Sequence, residues 1–261
     1  MERRRLLLVF KLVPILYLVY LLHLAARQAS FESFLAASSI TFDDFSLDYT
    51  NYNYNSYPAS PSPEHDTPPI IRFIFFENLY ETHLDRRLIP STGSKAPEIC
   101  HNHNPDITIT TWNATAAREL LETHYPWFIA TYDSYPYPIQ RVDTIKYFVL
   151  YHFGGIYMDL DIAFRRSLTP LMKFPAWFPK ASPLGVNNDL MASRAKHPVV
   201  EMMIHRLSAR NKWLIFPYVT MFWSTSPQFA GDIFKEWWLR GGAKQNKAGE
   251  FSSPPQSYLL H

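Results

Sequence analysis

Cysteine is all but missing from this chain. Cys100 is the single one in 261 residues, which excludes an intrachain disulfide. It says little about compartment, because oxidising compartments permit disulfides without demanding them. Glycine is scarce, with 8 residues against 21 prolines, and no internal repeat is visible. Neither sign of charge prevails: Lys and Arg number 25 and Asp and Glu 23, so no nucleic acid or other polyanionic partner is implied. Beyond Leu24 no apolar run is long enough to span a bilayer. What is abundant is aromatic surface, 16% of the residues, including 16 Tyr and 7 Trp. The length suits one good-sized domain with a proper core.

The chain begins with Arg3-Arg4-Arg5 and then runs from Leu6 to Leu24 almost without polar residues. As a helix that run spans about 28 Å, close to one hydrocarbon thickness. Residues 1–24 are therefore expected to form a signal anchor with its basic end cytoplasmic, a cleaved signal peptide being the rival reading. Residues 25–69, rich in Ser, Tyr, Asn and Pro, read as a stem or linker, 70–250 as the globular domain and 251–261 as a polar tail. In the domain, Ile70 to Phe76 suits a buried first strand, and Ile107 to Trp112 alternates as another. Asn113 suits the N-cap of a helix from Ala114 to His124; Asn113-Ala114-Thr115 is also a glycosylation sequon. Helices are expected over Arg141–Phe153, His197–Arg210 and Phe229–Leu239. The order strand, helix, strand argues for a parallel α/β sheet.

Everything is arranged around Gly154-Gly155-Ile156-Tyr157-Met158-Asp159-Leu160-Asp161. Gly154 stops an apolar helix, and a strand over 156–162 follows. Alternation then gives Ile156, Met158 and Leu160 to one face and Tyr157, Asp159 and Asp161 to the other. Two carboxylates that close ask for a partner, and a hard divalent cation holding a phosphate is the natural one. A strand edge wetting two aspartates is the bland alternative. Asp143 beside Lys146 also reads as an ordinary i, i+3 ion pair, and His152 as a satisfied core histidine. Arg165-Arg166 suits either phosphate or a solvated turn. The aromatics of 213–223 and Trp237-Trp238 suit core or a membrane-facing surface.

The run from Tyr135-Pro136-Tyr137-Pro138-Ile139-Gln140-Arg141-Val142-Asp143 through Asp159-Leu160-Asp161 resembles the Asp-x-Asp sugar transferases of glycosyltransferase family 32. His124-Tyr125-Pro126-Trp127, Asn188-Asp189-Leu190-Met191 and His197-Pro198 point the same way, most of all to the fungal inositol phosphorylceramide mannosyltransferases. The resemblance implies a GT-A nucleotide-sugar transferase fold, a mostly parallel sheet flanked by helices, on a single-pass type II Golgi anchor with the catalytic domain lumenal. It implies GDP-mannose as donor, Mn²⁺ or Mg²⁺ as cofactor, a lipid acceptor at the membrane, a regulatory membrane subunit, and retention at the anomeric carbon. Asp161 and Asp159 would hold the metal. Asp143, Lys146, Tyr157 and Asp159 would hold the donor, and Asn188 and Asp189 would lie near sugar and acceptor. A catalytically silent paralogue, or a mannosyltransferase acting on protein-linked glycans, are the other readings. Most of that family carries Arg at the position of Lys146. Its opening strand closes on a His-Gln-x-Trp element where this chain has Ile71 to Glu77.

Overall fold

A computed structural model describes residues 2–37, 67–77, 94–164, 167–181, 184–242 and 259–260. Its contacts divide the chain into two units, Met1–Ser38 and Ser39–His261. The first holds one helix, α1 (Glu2–Ala37), with Pro14 inside it, which continues past the expected end of the apolar segment at Leu24. From Val13 to Leu22 its large apolar side chains are all exposed. Among the described residues no helix is long and apolar enough to cross a membrane. The run that begins at Leu6 starts ahead of Val13, the first residue there whose burial is described.

The second unit opens with β1 (Ile70–Ile74), buried from Ile71 onward, as an apolar run without alternation requires. Next come α2 (Ala96–His103), β2 (Thr108–Trp112), α3 (Ala114–His124) and the short α4 (Ile129–Asp133). Asn113 does cap α3: its Oδ1 accepts the Ala116 N–H at 2.8 Å, so the capping reading holds. Helix α5 (Pro138–Phe153) starts three residues ahead of the expected Arg141, because Pro138 occupies the first turn, where no N–H is needed. Gly154 ends it with φ +65°. Then follow β3 (Gly155–Met158), β4 (Ala163–Phe164), β5 (Ala176–Trp177), β6 (Leu190–Ser193), α6 (Pro198–Arg210), α7 (Pro217–Ser224), α8 (Pro227–Leu239) and β7 (Leu259–Leu260). Pro217 takes the first position of α7, where no N–H is needed. Strand β7 pairs with β4, within the span read from sequence as tail.

The main sheet has the order β2-β1-β3-β6-β5. Strands β2, β1 and β3 are parallel, but β6 runs antiparallel to β3, and β5 antiparallel to β6. The sheet is therefore mixed, not mostly parallel. A parallel neighbour needs a long crossover, usually a helix. Between β3 and β6 the described residues offer only two-residue strands and one 3₁₀ turn over Thr169–Lys173. Ile71, Phe73, Ile156, Met158, Leu190 and Ala192 form one core face of the sheet with Cys100, Leu171 and Trp177. Helix α5 packs against β1, β3 and β6.

Candidate active site at the carboxyl end of the central strand

Two glycines set the entry to β3. A Cβ on Gly154 would lie 2.6 Å from the Ala195 nitrogen, and one on Gly155 2.8 Å from the Ile70 oxygen. Both also have positive φ, so the backbone passes where only glycine fits. The buried Arg72 clamps this turn by donating from Nε to the Gly154 carbonyl at 2.7 Å. Burial alone lowers its guanidinium to about 10, still charged at neutral pH.

The strand is shorter than the alternation suggests. It ends at Met158, and Asp159 to Ile162 forms a turn in which the Ile162 N–H reaches the Asp159 carbonyl at 3.3 Å. Asp161 therefore stands exposed on a turn and does not follow Asp159 along a strand face. Tyr157 and Asp159 do share a side, since the Tyr157 hydroxyl donates to Asp159 Oδ1. The register Met158↔Leu190 sets Asp159 opposite Asp189, and the Asp159 N–H donates to the Asp189 carbonyl at 2.8 Å.

Lys146 lies beneath, its side chain 1% exposed, with Nζ 2.8 Å from Asp143 Oδ1 and 5.1 Å from the centre of the Tyr157 ring. Burial pulls its pKa down, but Asp143, Asp159 and Asp189 outweigh burial and raise it. The i, i+3 ion pair that was one reading of Asp143 and Lys146 is present, and it is buried. Asp143 Oδ2 accepts from both Thr225 and Ser226 hydroxyls, 82 and 83 residues downstream. Asn188 donates to the Tyr147 hydroxyl at 3.1 Å, and that hydroxyl donates to the Thr225 carbonyl at 2.7 Å. So the structure gathers Asp143, Lys146, Tyr157, Asp159, Asn188 and Asp189 around one place, with Asp161 at its rim.

The electrostatics of this cluster are one-sided. Asp143, Asp159, Asp161 and Asp189 carry a formal −4 and Lys146 +1, leaving −3. Burial holds the Asp159 carboxyl above its usual range. Lys146 and Tyr157 oppose the shift, while Asp143 and Asp161 add to it. Hard oxygen donors short of positive charge suit a divalent cation. Among the described residues, no three His, Cys, Asp or Glu side chains converge as a metal-holding group.

Sequence reasoning missed Tyr135, Tyr147, Thr225 and Ser226. Ser226 precedes Pro227 as an N-cap would, yet its side chain makes no cap bond and turns to Asp143. The hydroxyl run Ser224-Thr225-Ser226 ahead of a proline was the available signal. Tyr135 is buried, its hydroxyl has no hydrogen-bond partner among the described residues, and Tyr147 and Asp143 add to the burial that raises its pKa. His152 is held by the Tyr125 hydroxyl at 3.0 Å, the satisfied histidine expected. Arg165-Arg166 lie outside the described residues.

A mixed sheet flanked by helices, with an acidic cluster at the carboxyl end of its central strand, is a GT-A-like α/β fold. Residues 90–179 match the family described as the glycosyltransferase sugar-binding region containing a DXD motif, and Asp159-Leu160-Asp161 falls inside that match. That match and the relatives below bear out the resemblance read from the sequence. The chain is 40% identical over 149 residues to inositol phosphoceramide mannosyltransferase 3 of Schizosaccharomyces pombe, covering 57% of this chain and 42% of that one. It is 34% identical over 224 residues to mannosyl phosphorylinositol ceramide synthase CSH1 of Saccharomyces cerevisiae, covering 85% of this chain and 58% of that one. The chain thus spans about half the length of these relatives. The fold resembles that of the PaToxG glycosyltransferase, with a TM-score of 0.51 at 14% identity over 85% of this chain and 83% of that one.

Proposed function

We propose that this chain is a divalent-cation-dependent mannosyltransferase. It moves mannose from GDP-mannose, with retention, to the inositol phosphate head group of a phosphorylceramide. The observation that carries this reading is the formal −3 cluster around the buried Lys146 at the end of β3. The names of the relatives supply the acceptor class.

Asp161 and Asp159 are the residues that would hold Mn²⁺ or Mg²⁺ and, through it, the diphosphate. When bound, such an ion stabilises charge on the leaving diphosphate as a Lewis acid. Asp143 binds sugar hydroxyls, oriented by Lys146, Thr225 and Ser226. Tyr157 lines the donor pocket, and its hydroxyl orients Asp159 and favours the carboxylate against the burial that raises its pKa. Asn188 and Asp189 face sugar and acceptor from the start of β6. The burial of Lys146, Tyr157 and Tyr147 keeps water from the anomeric carbon, restraining hydrolysis of an oxocarbenium-like centre. No side chain in the cluster is assigned as a covalent nucleophile, so retention would come from front-side attack by the acceptor hydroxyl.

The apolar run Leu6–Leu24 is proposed as a type II anchor in the Golgi membrane, with the second unit lumenal and residues 25–69 as its stem. A regulatory membrane subunit fits the same scheme. Incubating the purified chain with labelled GDP-mannose, Mn²⁺ and inositol phosphorylceramide tests the proposal. Label is expected in the lipid, and its loss in Asp161→Ala. Label in protein-linked glycan instead would change the acceptor. Restoration of lipid mannosylation in a deficient strain by an Asp159→Ala/Asp161→Ala chain would mark a silent subunit.

A further inference from the structure

The loop after α6 leaves an apolar surface uncovered. Trp213, Ile215, Phe216 and Tyr218 are 68%, 76%, 65% and 70% exposed, and Trp223 follows on α7. Single exposed apolar side chains need no explanation, but a contiguous aromatic group marks an interaction surface. Tyr218 and Phe222 stack with ring centres 5.7 Å apart, so the outer side of α7 extends the patch. The stretch of chain that carries it is basic. From Met202 to Gly231 the sequence has no Asp or Glu, while it has Arg206, Arg210 and Lys212. Arg206 and Arg210 reach across to Glu236 and Asp232 on α8; Lys212 makes no ion pair among the described residues. Leu214 and Trp223 line a cleft of about 470 Å³ together with these three basic residues and Glu236, which leaves Lys212 as the cation there without an ion pair among the described residues.

We propose that this surface is seated on a phospholipid bilayer, with the 213–218 loop in the interfacial region and Lys212 against anionic head groups. Trp and Tyr favour the head-group level, where the ring meets hydrocarbon and its polar edge meets water. Aliphatic and Phe side chains between them enter the acyl boundary, and a basic neighbour adds electrostatic attraction to anionic lipid. A protein partner complementary to this patch would have to be acidic and apolar at once; an anionic bilayer is both by construction.

The location gives the contact a purpose. Helix α7 has 8 residues, so it is about 12 Å long. It starts at Pro217 in the exposed patch and ends at Ser224, where Gln140 of α5 donates to the Ser224 hydroxyl at 2.7 Å. The next two residues, Thr225 and Ser226, hold Asp143. One short helix therefore separates the bilayer from the acidic cluster, which keeps the cluster within reach of a lipid head group. That last consequence rests on the lipid acceptor proposed above; the seating itself does not.

The test uses the full chain in vesicles of phosphatidylcholine and phosphatidylinositol. In a Cys100→Ala background, Ile215→Cys or Glu122→Cys carries an environment-sensitive fluorophore, Glu122 on α3 being the exposed control. Nitroxide in the acyl chains is expected to quench the probe at 215 strongly and the probe at 122 little, with iodide in the buffer doing the reverse. A probe at 215 that iodide quenches as readily as the one at 122 overturns the proposal. So does one shielded from iodide yet untouched by the nitroxide lipid, since protein would then cover the patch. Because depth is read without turnover, an inactive chain that is quenched at 215 would refute the transferase reading and leave the seating intact. Ile215→Glu/Phe216→Glu should lower nitroxide quenching of a probe at 218, installed by Tyr218→Cys, while Mn²⁺-dependent GDP binding stays unchanged.

Discussion

Lys146 and Asp143 meet at 2.8 Å one turn apart on α5, with the lysine side chain 1% and the aspartate side chain 13% exposed. A buried ion pair adds little over a well-packed apolar pair, but removing one partner strands the other. Lys146→Met should lower unfolding stability by about 3 kcal/mol. Lys146→Met/Asp143→Leu should recover part of that loss. Urea titrations of the two variants decide it, and a double variant less stable than Lys146→Met would contradict the pairing.

Asp159 sets a pH dependence with a definite sign. Its native carboxyl titrates above its unfolded value, chiefly through burial. The folded chain then holds the proton more tightly, so stability falls as pH rises from the ordinary aspartate range through the raised native value. Cation binding needs the carboxylate, so Mn²⁺-dependent nucleotide binding should weaken on acidification through the same window. Tyr157→Phe removes a donor that favours the charged form and should move the binding midpoint to higher pH. Titration of GDP affinity against pH in both proteins checks this; an unmoved midpoint would remove the hydroxyl from the account.

The glycine turn should tolerate no side chain. Gly154→Ala combines positive φ with a 2.6 Å approach to the Ala195 nitrogen. Strain of that kind is worth on the order of 2–3 kcal/mol before overlap is counted. A sharp drop in melting temperature is expected. Gly185→Ala, with positive φ and open space around it, should be milder.

Asn113 offers a paired readout. With its Oδ1 on the Ala116 N–H and the residue buried, the sequon should stay unmodified when the chain is expressed through a secretory pathway, by intact mass. Asn113→Ala should cost about 1 kcal/mol. An observed glycan there would mean that α3 begins later.

The legible parts were those where local chemistry decides. Helix α3 followed from Asn113 and a run of helix formers, and α6 from His197-Pro198. The end of β3 was not legible, since alternation continues through Asp161 while the backbone turns at Asp159. Strand β6 escaped because Leu190-Met191-Ala192-Ser193 has no period of two and is a strand through its pairing with β3. In the site, Asp159 and Asp161 stood out by spacing, and Asp143 through the family resemblance. Thr225 and Ser226 did not, because only the packing of α7 on α5 brings residues 82 and 83 positions away to Asp143.

The central claim is that the acidic cluster at the end of β3 holds a nucleoside diphosphate through a divalent cation. Calorimetric titration of GDP into the chain, with and without Mn²⁺, tests it most directly. The account predicts binding that requires Mn²⁺ and is lost in Asp159→Asn/Asp161→Asn, with the thermal unfolding of that variant retained. Equal GDP affinity with and without Mn²⁺, or unchanged affinity in the double variant, would contradict it.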